Sequence, residues 1–228
     1  AYADDLTLIA RLSIHAQEYL KAIERRAEED NMRLNATKTH HLQFRGPPQT
    51  ITTTNNIPLT KQNQARMLGT MVKVGTPKDR ARLAVNTRLG EARTAFDALH
   101  RIWKHTHIPP PRKIIIYRAC VIQKLTYALY THVIAKADMA RLEAFHVQCI
   151  RKILGIKATH AAKNILHTEA ITNAEVLRRA QEHPLKIDLA NMQAKLYAHA
   201  FRRPIGHPAR LTLFERTTSA PAKWRGTK

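Results

Sequence analysis

Asp4 and Asp5 stand side by side between Tyr2-Ala3 and an apolar run of Leu6, Leu8 and Ile9. Adjacent carboxylates repel one another and do not suit the middle of a half-buried strand, so a cation has to stabilise them there. Divalent magnesium takes oxygen ligands from acids and phosphates. In phosphoryl transfer, two such ions about 3.5 to 4 Å apart stabilise both the attacking and the leaving oxygen. An acidic pair at the turn of an apolar hairpin suits that task, while isolated Asp pairs also serve turns and caps.

Other metal chemistry finds little support. The 13 His are scattered without Cys at ligand spacing, so zinc is not expected. The stretches "THH", ending at His41, and "HTH", from His105 to His107, read as solvated His near element ends. Cys120 and Cys149 each sit inside an apolar helical pattern, far apart in sequence, and read as buried thiols rather than a disulfide.

Charge narrows the partners. Lys and Arg number 38 against 17 Asp and Glu, a formal net of +21. That excess points to a polyanion, nucleic acid before a membrane surface, with an ordinary basic surface as the bland alternative. No apolar run approaches the roughly 20 residues that span a bilayer, and "KIIIYRACVI" is broken by charge, so no membrane partner is expected. Residue 1 is not Met and no basic-then-apolar leader precedes the first strand, so the sequence reads as cut from something longer.

The elements that must position these residues fall into two halves with a boundary near Gly75. In the first half, "DLTLIA" reads as a strand. Ser13 then offers an N-cap to a helix with Ala16, Leu20, Ile23 and Ala27 inward. Glu18, Lys21, Glu24, Arg25, Arg26 and Glu28 form its wet side. Leu42 and Phe44 lie two apart on a strand, Asn55-Asn56 marks a hairpin turn, and "ARMLGTMV" is a further strand interrupted by Gly69.

The second half reads as helix. Thr76 and Pro77 are start signals, and Ala81, Val85, Leu89, Ala92, Phe96, Leu99 and Trp103 fall along one line at helical spacing. Arg82, Arg93 and Lys104 recur every eleven residues beside that line, a row that could follow a phosphate backbone or serve as a solvated flank. After "IPPPRK", helices are expected over residues 112–134, from Asp138 to Leu154 with Gly155 as the stop, and from a Thr172 or Asn173 cap. Pro184 precedes another helix, carrying Leu189, Met192, Leu196 and Phe201. The tail from Thr217 has the composition of a disordered segment or linker.

In order along the chain, these segments resemble the reverse transcriptases of non-LTR retrotransposons. Tyr2-Ala3-Asp4-Asp5 with "LTLIA" behind it is similar to polymerase motif C. "NMRLNATKTHHLQF" is similar to motif D, with Asn31 and Met32 where Gly and Leu are usual, while Asn35, Lys38 and Thr39 keep the pattern. Met67, Leu68, Gly69 and Thr70 match the Leu-Gly primer-grip element. "ALHRIWKHTHIPPPRKIIIYRACVIQKLTYALY" and "RLEAFHVQCIRKILGI" resemble the thumb and the helix after it, and "ITNAEVLRRA" the segment that follows. The resemblance runs from about Tyr2 to Arg203.

It implies an α+β chain, a partial polymerase palm with a short antiparallel sheet and a helix, then an all-α thumb and connector. The divisions would be residues 1–75 (palm, motifs C, D and E), 76–158 (thumb), 159–216 (connector) and 217–228 (tail or linker). Asp4 would be a direct ligand of two catalytic Mg2+ ions and Asp5 a nearby second acid, with Tyr2 close to the primer end. Lys38 would donate a proton to departing pyrophosphate or contact phosphate. Leu68, Gly69 and Thr70 would approach the primer backbone, and Arg82, Arg93 and Lys104 the duplex. The implied partners are an RNA template, a DNA primer and deoxynucleoside triphosphates, in an intracellular ribonucleoprotein found in cytoplasm and nucleus. A third carboxylate, from an upstream strand, is missing; Glu18, Asp30, Asp79 and Asp97 sit on helices or at caps and offer no substitute. Alone, the chain is therefore expected to bind primer-template weakly and polymerise nothing. Two other expectations stand beside this one: a noncatalytic basic helical RNA-binding module from a decayed element, and a group II intron maturase, which shares the palm motif.

Overall fold

The structure, a computed structural model, describes residues 6–44, 46–156 and 171–214. The chain is mixed α+β and divides into two units, Ala1–Arg80 and Ala81–Lys228.

In the first unit α1 (Ser13–Glu29) buries Leu20 against Ile51 and Leu59, with Ala16, Leu34 and Ala36 packed beside them. Ser13 is the first helical residue rather than the expected cap; Leu12 holds the cap position and offers no side-chain acceptor. Glu24, expected on the wet side, is buried and its carboxylate accepts from the Thr54 backbone N–H at 2.7 Å. The Gln17 amide likewise accepts from Thr52 N–H (2.9 Å) and donates to Thr52 C=O (2.5 Å). Both follow from the same need, since an extended segment with no strand beside it must find partners for its backbone groups. That segment turns through Asn55 and Asn56, as expected, with Asn56 at φ +60° and one antiparallel bridge from Thr52 to Pro58.

Four short strands follow the expected order but not the expected pairing. β1 (His40–Leu42) pairs parallel to β2 (Thr60–Gln62), because the connection over residues 43–59 carries its own turn and returns the chain in the same direction. Among the four described strands, only β3 (Gln64–Met67) and β4 (Thr70–Lys73) pair antiparallel. The single strand read over "ARMLGTMV" is thus a hairpin bent at Leu68-Gly69, and Phe44 lies outside β1, exposed. Residues 6–10 form no strand. No described strand lies alongside to take their hydrogen bonds, and Leu6, Leu8 and Ile9 are exposed.

The second unit is helical. α2 (Pro77–Ala98) starts in a capping arrangement in which Thr76 Oγ1 accepts from Asp79 N–H (3.2 Å) and donates to the Asp79 carboxylate (2.6 Å). These Thr76 hydrogen bonds hold Asp79 below the usual carboxylate range. The expected line of Ala81, Val85, Leu89, Ala92, Phe96 and Trp103 is buried. Trp103 belongs to a separate α3 (His100–Lys104), where its indole stacks on Phe96 and donates to Phe96 C=O at 2.7 Å.

α4 (Pro110–Tyr117) begins two residues before the expected start. Pro110 and Pro111 fill its first two positions, where no backbone N–H is required. It passes through a π turn (Arg118–Ile122) into α5 (Gln123–Thr126), well short of residue 134, since Ala128 adopts φ +58° and ends the helix. Cys120 points outward from the π turn, so one of the two thiols expected to be buried is exposed; Cys149 is buried as expected. α6 (Lys136–Leu154) starts before Asp138, which pairs with Arg141 in the first turn instead of capping. Its stop is Gly155 at φ +68°, with Ile156 N–H returning to Arg151 C=O at 2.9 Å.

α7 (Asn173–Arg179) is capped by Thr172, whose hydroxyl accepts from Glu175 N–H. α8 (Leu185–Phe201) has no cap of its own, and Glu143 of α6 accepts from Leu185 and Lys186 N–H instead. Leu185 and Leu189 are buried, while Phe201 is exposed and meets Phe214 beyond α9 (Pro208–Leu213). One contiguous core joins α2 to α8 through Phe96, Tyr117, Leu125, Leu142, Ile150 and Leu189. No helix among the described residues is long and apolar enough to cross a membrane. The tail from Thr217 lies outside the described residues, as does the connector over residues 159–170.

Candidate nucleic-acid interface

Tyr2, Asp4 and Asp5 lie outside the described residues. Among the described residues no three His, Cys, Asp or Glu side chains gather at metal-ligand spacing.

Lys38 stands on a turn that Asn35 organises. Asn35 C=O accepts from Lys38 N–H (3.1 Å), Thr39 N–H (3.0 Å) and Thr39 Oγ1 (2.8 Å), while its side-chain oxygen accepts from the Thr37 hydroxyl at 2.7 Å. One asparagine thus satisfies the turn with both of its oxygens, which gives the "NATKT" spacing a physical reason. Lys38 is left exposed two residues before β1 and makes no ion pair with a described residue.

Leu68 and Gly69 are the two central residues of the β3–β4 turn, since Met67 pairs with Thr70. Both have positive φ, +47° and +73°, the conformation that matches a two-residue turn to the twist of its strands. Gly69 adopts it freely. Leu68 does so at a cost of about 1–2 kcal/mol, and its side chain is half exposed. Thr70 follows, half-buried, as the first residue of β4.

The same unit holds a shallow polar groove of about 460 Å³ between β1 and the β2–β3 bend, lined by His40, Gln62, Asn63, Gln64, Arg66 and Met71. Next to it, His41 Nδ1 is buried with no hydrogen-bond partner, and burial, then the charge of Lys61, holds its imidazole below the ordinary value. Sequence reasoning treated His40-His41 as solvated.

Of the basic row, Arg82 and Arg93 share an exposed face of α2 and make no ion pair with a described residue. Lys104 is also exposed, but α2 stops at Ala98 and the chain restarts as α3, so the eleven-residue period does not carry through to it. The third cation near this face comes from α6, where Arg141 donates to Asn86 Oδ1 at 2.9 Å while paired with Asp138. No spacing within α2 could have pointed to Arg141.

Beneath the surface lies a polar cluster that sequence reasoning also missed. His146, fully buried, donates from Nε2 to His183 C=O (3.2 Å) and accepts at Nδ1 from the Tyr117 hydroxyl (2.9 Å). A carbonyl can only accept, so Nε2 carries a proton, and in the neutral ring that burial favours Nδ1 is the acceptor. Burial holds its pKa below the ordinary value and pushes the Cys149 thiol up to about 12. Arg118 reaches Glu182 and Asp188, and His183 completes the set at 2.9 Å from Asp188. Every member has a partner within the cluster, which makes it a clasp between helices.

The chain matches no protein-family model, no curated protein and no solved structure.

Proposed function

We propose that this chain is the part of an RNA-directed DNA polymerase, of the non-LTR retrotransposon type, that carries its second metal-binding motif and its duplex-holding helices. The observation that carries this reading is the order of five segments along the sequence, from Tyr2-Ala3-Asp4-Asp5 to "ITNAEVLRRA", together with a net charge of +21. Its partners would be an RNA template, a DNA primer and deoxynucleoside triphosphates. Asp4 and Asp5 would hold Mg2+ with a further carboxylate that this sequence does not supply; bound there, the ions would neutralise charge on both oxygens of the displacement. Lys38, exposed and unpaired among the described residues, suits a phosphate contact. The exposed Leu68-Gly69 turn suits close approach to a backbone.

The test is primer extension. Joined to upstream polymerase sequence, the chain should extend a DNA primer on RNA with magnesium, and Asp4→Asn and Asp5→Asn should each reduce extension by at least a thousandfold. Full activity in both variants would reject the metal role.

A second reading, a noncatalytic RNA-binding helical module, is favoured by one observation: residues 6–10 form no strand behind the acidic pair. It expects the same binding to nucleic acid and no extension in any joined form.

A further inference from the structure

α8 is apolar on two sides. One side carries Leu185, Leu189 and Ala200 into the core of the second unit. The other carries Ile187, Ala190, Ala194, Tyr197 and Phe201, all exposed. They alternate at three-residue and four-residue steps, the spacing of the two seam positions of a heptad, and at about 100° per residue they lie within about 80° of one another. Ile187 is 42%, Tyr197 46% and Phe201 43% exposed, although Phe214 and Arg210 edge the Phe201 ring. Gln193 donates to His132 C=O at 3.2 Å, which holds the segment carrying the exposed Val133 beside the same helix. A helix that is apolar on both sides calls for cover on both, and this one is covered on one. Charge stands off the stripe. Lys186 precedes it, Arg202 and Arg203 follow it, and Lys195 is turned away from its centre by about 120°.

We propose that through this stripe two copies of the chain associate, α8 lying antiparallel on α8 of the second copy about a twofold axis at Ala194. The inference goes beyond the nucleic-acid reading and does not depend on it. The stripe is self-complementary about that residue, as a twofold contact requires. Ile187 and Phe201 stand equally far on either side of Ala194, so each meets the other across the axis. Tyr197 falls beside Ala190 and Asn191 of the second copy, large against small. On the axis, Ala194 presents only a methyl group, which lets the two backbones approach, and antiparallel helices oppose their dipoles. The stripe and Val133 leave about 500 Å² of apolar surface on each copy, so the pair would bury about 1,000 Å², the lower end for a specific interface and the size of a weak dimer. Charge selects this occupant over a polyanion. A phosphate-bearing surface calls for cations on the contact face, and the stripe has none in a chain of net +21. At the helix ends Lys186 approaches Arg202 of the second copy, so salt should strengthen the contact by screening like charges.

The test is sedimentation equilibrium of the whole chain, free of nucleic acid, from about 1 to 100 μM and at about 0.1 and 0.5 M salt, for wild type, Ala194→Glu and Lys195→Glu. Wild type should reach a dimer and no larger species, more tightly at the higher salt. Ala194→Glu sets two like charges on the axis and should weaken association by about tenfold or more. Lys195→Glu, one residue along and off the stripe, should not weaken it. Both substitutions fall at exposed helical positions, so thermal midpoints within about 2 °C of wild type confirm that each variant is folded. A wild type that stays monomeric throughout, an Ala194→Glu that associates as wild type does, or association that weakens with salt, as bridging by a polyanion would, each overturns the inference. A monomeric wild type that instead sediments with phosphatidylcholine vesicles would assign the stripe to a lipid surface and overturn it too.

Discussion

The two units hold their elements together in different ways. Among the described residues, the core of the first consists of Leu20, Ile51 and Leu59, and large apolar side chains such as Ile9, Leu12, Ile14 and Met32 stay exposed. The second has one core through its helices and a buried polar clasp around His146. Charge divides the same way. Residues 1–80 carry 12 Lys and Arg against 8 Asp and Glu, whereas residues 81–228 carry 26 against 9, so +17 of the net +21 belongs to the helical unit. Packing and positive charge are concentrated in one unit, and the residues proposed for chemistry lie in the other. The sparse unit can hold strain such as that at Leu68 because little packing depends on it.

The sharpest way to break this comparison is to cut a cavity in each core. Leu142→Ala, at a fully buried position, should lower unfolding free energy by about 3–4 kcal/mol, and Leu20→Ala by about 2 kcal/mol or less, both read by chemical denaturation. Equal losses would remove the distinction. The clasp offers a second probe. Tyr117→Phe strands the Nδ1 of His146 and should cost about 1–3 kcal/mol.

The same clasp sets a pH dependence. His146 is surrounded by Tyr117, Cys149, His183, Glu143, Asp188 and Arg118, and burial holds its folded pKa below the ordinary imidazole value of about 6.5. Between those two values the unfolded chain binds more protons, so the contribution of His146 is fully present above about pH 6.5 and is lost as pH falls below it. His146→Gln should flatten stability between pH 5 and 7. An unchanged slope would show that another group titrates there.

The smallest effects concern two left-handed residues and should have opposite signs. Gly155→Ala at φ +68° should cost about 1 kcal/mol. Leu68→Gly should stabilise the β3–β4 hairpin by about 1 kcal/mol by relieving the strain at φ +47°. In primer extension, the same Leu68→Gly should impair activity of the joined polymerase if the exposed leucine touches primer.

Helical periodicity made most of the second unit legible. The Ala81 to Trp103 line, the Thr76 and Thr172 caps and the Gly155 stop are local signals, and each is where the sequence pattern places it. Features set by nonlocal partners were not legible. Glu24 is buried because Thr54, thirty residues away, needs an acceptor. Arg141 joins the α2 face through a contact spanning 55 residues. The parallel pairing of β1 with β2 depends on how residues 43–59 turn. The π turn that exposes Cys120 leaves no mark in apolar spacing. For the candidate site, Lys38 and the Leu68-Gly69 turn were visible as residues, but the positive φ of Leu68 was not.

The most direct test of the central claim, that the helical unit's charge is there to hold nucleic acid, is the salt dependence of RNA–DNA hybrid binding by the whole chain. Neutralising two phosphates with Arg82 and Arg93 should give a slope of about −1.4 to −1.8 in log affinity against log salt, and Arg82→Gln and Arg93→Gln should each make it shallower by nearly one. Affinity that stays flat across the salt series would contradict the account.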